Sequence, residues 1–483
     1  MKILVTKTLT PEKLRKQQAK REKEILKWEK EKARPKKSYY FAYLVFIITL
    51  IYATDEIASQ IGTLMKTEIA NDLFSKFGQS SVSMLDLLTI VGLPFQVIGL
   101  LYRPLADRFG RKTFLIINTV GMSIALLVIF LSNNIFLYFI GACMVQFFIP
   151  HDMHVVYIME SSPSKHRAKF YSVIKFIANM SVMLIPVLRD TLMADTSQWR
   201  NVYFIPAIIG LVTSFVAIFF ARETDAFIDA RIRRLKMTDE ELAQEKARKS
   251  DANAQGGLIT ALKFAMKHKQ LRWLYITAAF LNIGFIASVS YQVIMSYGYA
   301  ESIYGTFTDD IMNTVSLGPV TTALILFPFG SAVAQVIMGF ISDGKGRKAA
   351  AITTAANCLL SFIGFWFGAK YNWDPYIVGF LCGAFVGSYY SVNDVIIIMV
   401  SESAPTNLRS SVMSAEFIVA AAGYAISYIA NFIVGGLLGN AFIGTLAISL
   451  LVPGYIIGLF LLVTKTHDTK NVNLDTVTGT EWD

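Results

Sequence analysis

The amino-acid sequence predicts an all-α membrane protein with 12 transmembrane helices arranged in two six-helix bundles. Of its 483 residues, 54% are apolar and only 17% are charged, whereas an ordinary soluble domain carries about 25% charged residues. Twelve apolar runs are each long enough to cross a bilayer as a helix, which takes about 20 residues. The surplus of apolar residues excludes a soluble globular protein and a disordered chain.

The 12 apolar runs form two groups of six. The first group lies near residues 39–62, 83–102, 113–132, 135–159, 168–188 and 201–221. The second group lies near residues 271–297, 317–342, 349–369, 375–400, 411–436 and 441–463. The expected segments are a basic N-terminal arm (1–38), a first bundle (39–221), a linker loop (222–270), a second bundle (271–464) and a C-terminal tail (465–483).

The positive charges are sorted between alternate connections. A net charge of +10 would suggest nucleic-acid binding in a soluble chain. Here, Lys and Arg concentrate in the arm, the linker, the tail and every second loop, which is the positive-inside pattern of membrane proteins. We therefore expect a multi-pass protein of the cell membrane, plasma or inner, with both termini cytoplasmic and no nucleic-acid partner.

The N-terminal arm itself predicts a helix. Thr10 can cap this helix, Pro11 suits its first position, and Pro35 ends it. The helix carries positive and negative side chains. It either rests on an anionic leaflet through its Lys and Arg or is a solvated surface helix.

An internal repeat connects the two groups of spans. Residues 151–163 align without a gap with residues 393–405. A duplicated bundle with polar matches predicts pseudo-symmetric halves that share one functional layout. The residues superposed by this alignment are Asp152 on Asp394, Glu160 on Glu402 and, just beyond it, Arg167 on Arg409.

A second repeated element lies in the short loops after spans two and eight. Its second copy reads Gly-x-x-x-Asp-x-x-Gly-Arg-Lys and starts at Gly339. Its first copy keeps Asp107, Gly110 and the Arg-Lys pair but has Arg103 in place of the opening glycine. These loops, the Glu-x-x-Pro-x-x-x-Arg element of spans four and ten, and the six-plus-six arrangement resemble the major facilitator superfamily of secondary transporters over nearly all of residues 39–464.

The resemblance implies that the charges around these loops form a cytoplasmic gate. Asp107 can meet a helix N-terminus, and Arg108 or Arg111 can reach Glu160. Partly exposed ion pairs are worth about 0–1 kcal/mol, so they can break in every cycle. Alternatively, these charges only orient the spans and pair on the surface. The residues predicted for the gate are Arg103, Asp107, Arg108, Gly110, Arg111, Glu160, Arg167, Gly339, Asp343, Gly346, Arg347, Glu402 and Arg409.

Polar and ionisable residues inside the spans form a second set of candidates, because a charge within the bilayer is costly and therefore suggests a function. The resemblance implies that spans one, four, seven and ten line a central cavity. Asp86 in span two is expected near the outer surface instead. The residues predicted to bind substrate or proton are Asp55, Glu56, Gln60, His151, Asp152, Lys175, Asn282, Tyr291, Gln292, Tyr390, Asn393, Asp394 and Glu416.

No metal or other cofactor is expected. His151 and His154 flank Asp152, but two histidines without further ligands are too few for a closed metal site. Lys175 can instead pair with Asp152 or His151, and such pairing can also be purely structural. The proton gradient is the expected energy source.

These features together predict an alternating-access transporter, not an enzyme. An acidic cavity without Arg inside the spans favours protons, cations or neutral polar solutes over anions. The run from Tyr291 to Tyr297 is weakly similar to the span-seven signature of sugar porters, although their double Gln is absent. We expect proton-coupled symport of a small polar neutral solute, such as a sugar or polyol, by a monomer. Proton-coupled efflux of amphipathic cations is an alternative, and so is a transport-inactive sensor or scaffold.

Overall fold

The computed structural model describes residues 11–35, 40–102, 105–149, 153–161, 167–238, 240–241, 244, 258–405, 408–472, 477 and 481. All regular secondary structure in these residues is helical, which confirms the predicted all-α class. Within them, 10 helical stretches are long and apolar enough to cross a membrane. Large apolar side chains such as Phe215 and Phe219 stay more than half exposed on the outer surface, as contact with lipid requires.

The first half of the chain holds the arm helix, the helices of the first bundle and the first helix of the linker. Two short 3-10 segments, Ser75–Ser80 and Thr196–Arg200, connect helices of this half. The helices are α1 (Pro11–Ala33), α2 (Tyr40–Leu64), α3 (Lys66–Leu73), α4 (Ser81–Tyr102), α5 (Ala106–Phe109), α6 (Arg111–Phe130), α7 (Ile135–Phe148), α8 (Met153–Ser161), α9 (Arg167–Ser181), α10 (Leu184–Leu192), α11 (Asn201–Phe220) and α12 (Asp225–Lys236).

The second half follows the same plan. A π-helical turn, Ser316–Val320, contains Pro319, and a 3-10 turn covers Asn440–Phe442. The helices are α13 (Leu258–Lys267), α14 (Lys269–Asn282), α15 (Phe285–Val289), α16 (Tyr291–Tyr304), α17 (Asp309–Val315), α18 (Thr321–Lys345), α19 (Arg347–Lys370), α20 (Pro375–Glu402), α21 (Arg409–Leu438) and α22 (Ile443–Lys465).

The predicted fifth and seventh spans are interrupted helices. In the fifth, the ring of Pro186 removes a backbone donor and crowds the carbonyl of Val182, so the chain breaks between α9 and α10. In the seventh, α14, α15 and α16 follow one another, and the Ser427 hydroxyl accepts a hydrogen bond of 2.8 Å from the amide of Ile286. Counted with the 10 helical stretches, these two spans are consistent with the predicted 12-helix architecture.

Helices α18 and α20 pack with their backbones in contact, because α20 presents glycine once per turn at Gly379, Gly383 and Gly387. A methyl group added to Gly383 would lie 1.9 Å from the carbonyl oxygen of Phe327. Small residues at four-residue spacing are the usual device for close helix contact in membranes. The contact brings the polar residues of α18 beside those of α20.

The bundle has two ends, which we call the terminal face and the opposite face. The terminal face carries the end of α1, the loops at Gly110 and Gly346, and the residues that follow α22. There, Lys348 donates to the carbonyl of Thr466 at 2.7 Å. The opposite face carries α3, the segment Ser75–Ser80 and the junction between α10 and α11.

Replacing Gly383 by Ala is expected to destabilise the protein, because the added methyl group overlaps the backbone of α18. Overpacking of this kind costs about 1–3 kcal/mol. The measurement is thermal unfolding of the purified protein in detergent. Gly436→Ala is the matched control, since no atom lies within 4 Å of its added methyl group among the described residues. Equal melting temperatures for the two variants would contradict this account of the α18–α20 contact.

Candidate functional site

A polar cavity of about 200 Å³ lies between the two halves. Four helices line it, and each contributes two polar residues that are one helical turn apart and therefore share a face. Phe327, Pro328 and Val386 supply apolar wall. The polar pairs are Glu56 and Gln60 on α2, Lys175 and Asn179 on α9, Ser331 and Gln335 on α18, and Tyr390 and Asp394 on α20.

A second cavity of about 320 Å³ continues the first towards the terminal face. Both cavities are lined by Lys175, Asn179, Gln335 and Asp394. The second one extends to Gly339 and Asp343 near the end of α18, and one wall is apolar. Within the described residues, the space between the halves is therefore open on the terminal side. The apolar wall consists of Phe176, Ala332, Val336, Met338 and Phe340.

Two kinds of contact cross the cavity. The Asn179 amide donates to the Gln335 side-chain oxygen at 3.3 Å, which is a neutral hydrogen bond between the halves. Lys175 and Asp394 also come from opposite halves and are close enough for their charges to interact. No ion pair within 4.0 Å joins these two charges in the described part of the chain. Asp394 is exposed to the cavity, so a proton or solute can reach it.

The remaining residues predicted to bind substrate or proton lie elsewhere or are not described. Asn282, Asn393 and Tyr389 form a hydrogen-bonded cluster inside the second half, with 2.9 Å from the Asn282 amide to the Asn393 oxygen. Tyr291 is fully buried and stacks on Phe327. Glu416 is buried on α21, and Asp55 is adjacent to Glu56; neither is among the described cavity-lining residues. His151 and Asp152 lie outside the described residues.

A fully buried ion pair closes the opposite face. The Arg189 guanidinium lies 2.7 Å from the Glu68 carboxylate, and both side chains are 0% exposed. Arg189 also donates to the Ser316 carbonyl at 3.1 Å and to the Thr321 hydroxyl at 3.1 Å, both in the second half. The π-helical turn at Ser316–Val320 presents this carbonyl to Arg189.

A second buried pair lies beside the first. Lys66 is 2.5 Å from Asp86, and these side chains are 6% and 5% exposed. Lys66 also donates to the Val289 carbonyl at 3.0 Å, which the break before α16 leaves without a helical partner. The Asn431 amide donates to Asp86 at 2.8 Å. The charges are thus paired within the first half, and the second half adds neutral groups.

Gln292 completes this network, which we call the polar lock. Its side-chain oxygen accepts hydrogen bonds from the amide and hydroxyl of Thr67, at 2.8 and 2.7 Å, and its amide donates to Glu68 at 3.2 Å. Predicted as a substrate ligand, Gln292 here joins the two halves. The polar lock consists of Lys66, Thr67, Glu68, Asp86 and Arg189 of the first half with Val289, Ser290, Gln292, Ser316, Thr321 and Asn431 of the second.

Sequence patterns alone missed most of the polar lock. Arg189 stands one residue beyond the predicted end of span five, so the spans were taken to contain no Arg. Asp86, expected near the outer surface and therefore left out of the candidate sites, is buried and paired with Lys66. The sequence did contain a sign of these ion pairs. Two acids and two bases lie at the same end of spans one, two and five, namely Lys66, Glu68, Asp86 and Arg189.

At the terminal face, the first half contains the predicted pair of Arg111 and Glu160, with 3.3 Å between Nε and Oε1. The hydroxyl of Thr224 donates to the same carboxylate at 2.5 Å. Glu223 accepts from the backbone amides of Arg111 and Lys112 at 3.0 and 3.1 Å, so its charge stabilises the start of α6. This N-terminal position was predicted for Asp107, whose side chain lies outside the described residues.

The second half repeats the arrangement. Arg347 lies 3.2 Å from Glu402, and Thr469 donates to this carboxylate at 2.5 Å. Asp468 accepts from the amide of Lys348 at 3.1 Å and takes the place of Glu223. In each half, an acid therefore accepts from the backbone of the loop, and the Thr that follows it donates to the glutamate of the ion pair. The internal repeat did not reveal this match. Arg347 also reaches Asp343 at 3.1 Å.

The two loop glycines have the left-handed backbone that the motif predicts. Gly110 has φ of 113° and Gly346 has φ of 107°, values that a residue with Cβ rarely adopts. Gly339 borders the second cavity, and nothing lies within 4 Å of a methyl group added there in the described residues. Arg409 donates to the Ser401 carbonyl at 3.0 Å. Arg103 and the side chains of Arg108 and Arg167 lie outside the described residues.

Burial raises the pKa of Glu223, and the charge of neighbouring Glu160 acts in the same direction. The hydrogen bonds from the backbone amides oppose this rise but do not cancel it. The acid that holds the first-half loop is therefore more easily protonated than an exposed glutamate. The described residues contain no group of three or more His, Cys, Asp or Glu that could hold a metal ion.

Two six-helix halves, a cavity between them and a paired loop motif define a membrane transport protein fold. The Major Facilitator Superfamily model matches residues 38–428, and the chain belongs to this family. No curated protein sequence matches the chain significantly.

Solved structures of transporters share the fold. The chain is similar to the xylose transporter XylE from E. coli in an inward-open conformation, with TM-score 0.60, 15% identity and coverage of 90% of this chain and 99% of that one. The chain is also similar to a bacterial homolog to the human lysosomal transporter Spinster, inward-facing and occupied, with TM-score 0.55, 13% identity and coverage of 89% of this chain and 96% of that one. A third similar structure is a POT family transporter in complex with 5-aminolevulinic acid, with TM-score 0.58, 12% identity and coverage of 87% of this chain and 96% of that one.

Replacing Arg189 by Met is expected to destabilise the protein strongly, because Glu68 would remain as a buried charge without its partner. Breaking a buried ion pair from one side costs about 3–5 kcal/mol. Replacing both residues by Met removes both charges and should recover much of that loss. Thermal unfolding of the single and double variants measures the difference. A double variant less stable than Arg189→Met would mean that the ion pair is not what Arg189 contributes.

Proposed function

We propose that the protein is a secondary active transporter that works by alternating access and couples proton entry to the symport of a small polar neutral solute, such as a sugar or polyol. The observation that carries the proposal is the cavity between the halves, closed at the opposite face by the polar lock and open at the terminal face. The likeness to the xylose transporter XylE supports it at the level of the fold.

The lining of the cavity supports a neutral polar solute. Amides from both halves, Gln60, Asn179 and Gln335, stand beside the hydroxyls of Ser331 and Tyr390. Such groups donate and accept hydrogen bonds, as a ligand rich in hydroxyls requires. The cavity is complete within one chain, which supports action as a monomer, and the proton gradient serves as the energy source without a cofactor.

Asp394 is the carboxylate best placed to carry the proton. It borders both cavities and faces Lys175 of the other half. A protonated Asp394 is neutral and no longer attracts Lys175, so both groups become available to hydrogen-bond a solute. Glu56, on the wall formed by α2, is the second candidate. Loss of the proton on the terminal side would restore the ionised carboxylate and favour release of the solute.

The terminal face is assigned to the cytoplasm of a cell membrane by its excess of Lys and Arg. The pairs of Arg111 with Glu160 and Arg347 with Glu402 then belong to the cytoplasmic gate. Such partly exposed pairs are weak enough to exchange partners during the cycle.

A specific observation also favours a second candidate, efflux of amphipathic cations. The second cavity joins an acidic residue, Asp394, to an apolar wall that includes Phe176, Val336 and Phe340. An apolar cation could place its charge near the carboxylate and its body against this wall. Lys175 opposes such binding, which is why symport of a neutral solute is preferred.

Replacing Asp394 by Asn is expected to abolish uptake driven by a pH gradient, because an amide cannot carry the proton. Exchange of solute across the membrane at equal pH should continue, since Asn keeps the shape and the hydrogen bonding of the site. Both fluxes are measured in proteoliposomes. Asp394→Glu should restore part of the gradient-driven flux. Intact pH-driven transport in Asp394→Asn, alone and combined with Asp152→Asn, would refute the assignment.

Binding of a neutral sugar or polyol is expected to raise the melting temperature of the purified protein, because the ligand binds only the folded state. At 100 times Kd the gain is about 2.7 kcal/mol. The screen compares sugars and polyols with lipophilic cations and carboxylates. Gln335→Ala should weaken the shift by removing an amide from the cavity. Stabilisation by lipophilic cations alone would favour the efflux function instead.

A further inference from the structure

The arm helix α1 docks on α12 through one face. The ring of Trp28 packs edge-on against that of Phe227, with 5.7 Å between the centroids. Acidic residues of α1 are engaged in this contact, which leaves the excess positive charge of the helix on other faces. The ion pairs across the contact are Glu24 with Arg231, Glu29 with Lys236, and Lys32 with Asp229.

A second face of α1 carries a row of exposed basic side chains. Their spacing alternates between three and four residues, so they line up along one side of the helix. All of them are exposed, and none has an ion-pair partner within 4.0 Å in the described ranges of the chain. We call this row the basic stripe, and it consists of Lys20, Lys23, Lys27, Lys30 and Arg34.

The basic stripe starts at the base of the membrane helices. Arg222, two residues beyond the end of α11, donates to the carbonyls of Arg34 and Pro35 at 3.0 Å each. Its backbone amide donates to the hydroxyl of Tyr40, the first residue of α2, at 3.2 Å. The end of the stripe is therefore held beside the ends of two helices that are long and apolar enough to cross the membrane.

We propose that the basic stripe binds anionic phospholipid headgroups of the leaflet on the terminal side and thereby anchors the arm to the membrane. Lysines in a row beside a bilayer surface are attracted by lipid phosphates, and each one strengthens membrane binding about fivefold. The inference rests on the membrane placement in the proposed function and is independent of the transported solute.

The test is hydrogen exchange of the full-length protein in nanodiscs of phosphatidylcholine, with and without phosphatidylglycerol. In the natural protein, phosphatidylglycerol should slow amide exchange in α1, and high salt should reverse the effect because it screens surface charges. In the stripe variant this protection should be lost. The stripe variant carries Lys20→Gln, Lys23→Gln, Lys27→Gln and Lys30→Gln, and a control variant carries Arg234→Gln, Lys263→Gln, Lys267→Gln and Lys465→Gln.

The control variant removes the same number of charges from the same face of the protein. It should keep the slower exchange in α1, and unchanged melting temperatures should show that both variants are folded. No effect of phosphatidylglycerol on the natural protein would overturn the proposal, as would equal loss of protection in the two variants. Equal protection by soluble glycerol phosphate in phosphatidylcholine nanodiscs would identify a site for soluble anions and also overturn it. Because no transport is measured, failure here leaves the proposed function untouched.

Discussion

The structure depends on one electrostatic constraint: a buried charge must keep its counter-charge, because a charge left alone in a low-dielectric interior costs several kcal/mol. In the polar lock, the pairs of Glu68 with Arg189 and Lys66 with Asp86 both lie within the first half. The second half meets them with carbonyls, hydroxyls and amides. Opening this face therefore separates no ions, but it breaks hydrogen bonds between charged groups of the first half and neutral groups of the second, worth about 1.5–3 kcal/mol each. A lock built in this way can be tight and still reversible.

The same rule operates at the terminal face. Arg111 pairs with Glu160 in one half, and Arg347 pairs with Glu402 in the other. In each half an acid and a threonine that follow the last membrane helix tie this pair to the loop. Each half is thus held together by its own charges. Rigid halves joined by hydrogen bonds and not by ion pairs have the mechanical property that alternating access requires, since motion is concentrated at their interface.

Sequence reasoning succeeded where the signal is local or repeated. The length of the apolar runs predicted the helices, and the loop motif predicted the pair of Arg111 with Glu160. It failed where distant segments meet. Gln292 gives no local sign that it will contact Glu68, more than two hundred residues away. Arg189 was missed because the apolar run ends at residue 188, whereas α10 continues through Arg189 to Leu192. The helix break between α9 and α10 was missed as well, because it is not visible in an averaged apolar signal.

In the cavity, two opposite charges come from different halves of the protein, so their interaction depends on how the halves are positioned. Lys175 and Asp394 face each other from opposite halves, whereas the ion pairs described above stay within one half. Their attraction grows as the halves approach, because the Coulomb energy varies inversely with distance. A proton on Asp394 removes that attraction, and a solute between the halves replaces it with hydrogen bonds. One titratable group at the interface is then sufficient to make the position of the halves depend on both proton and solute.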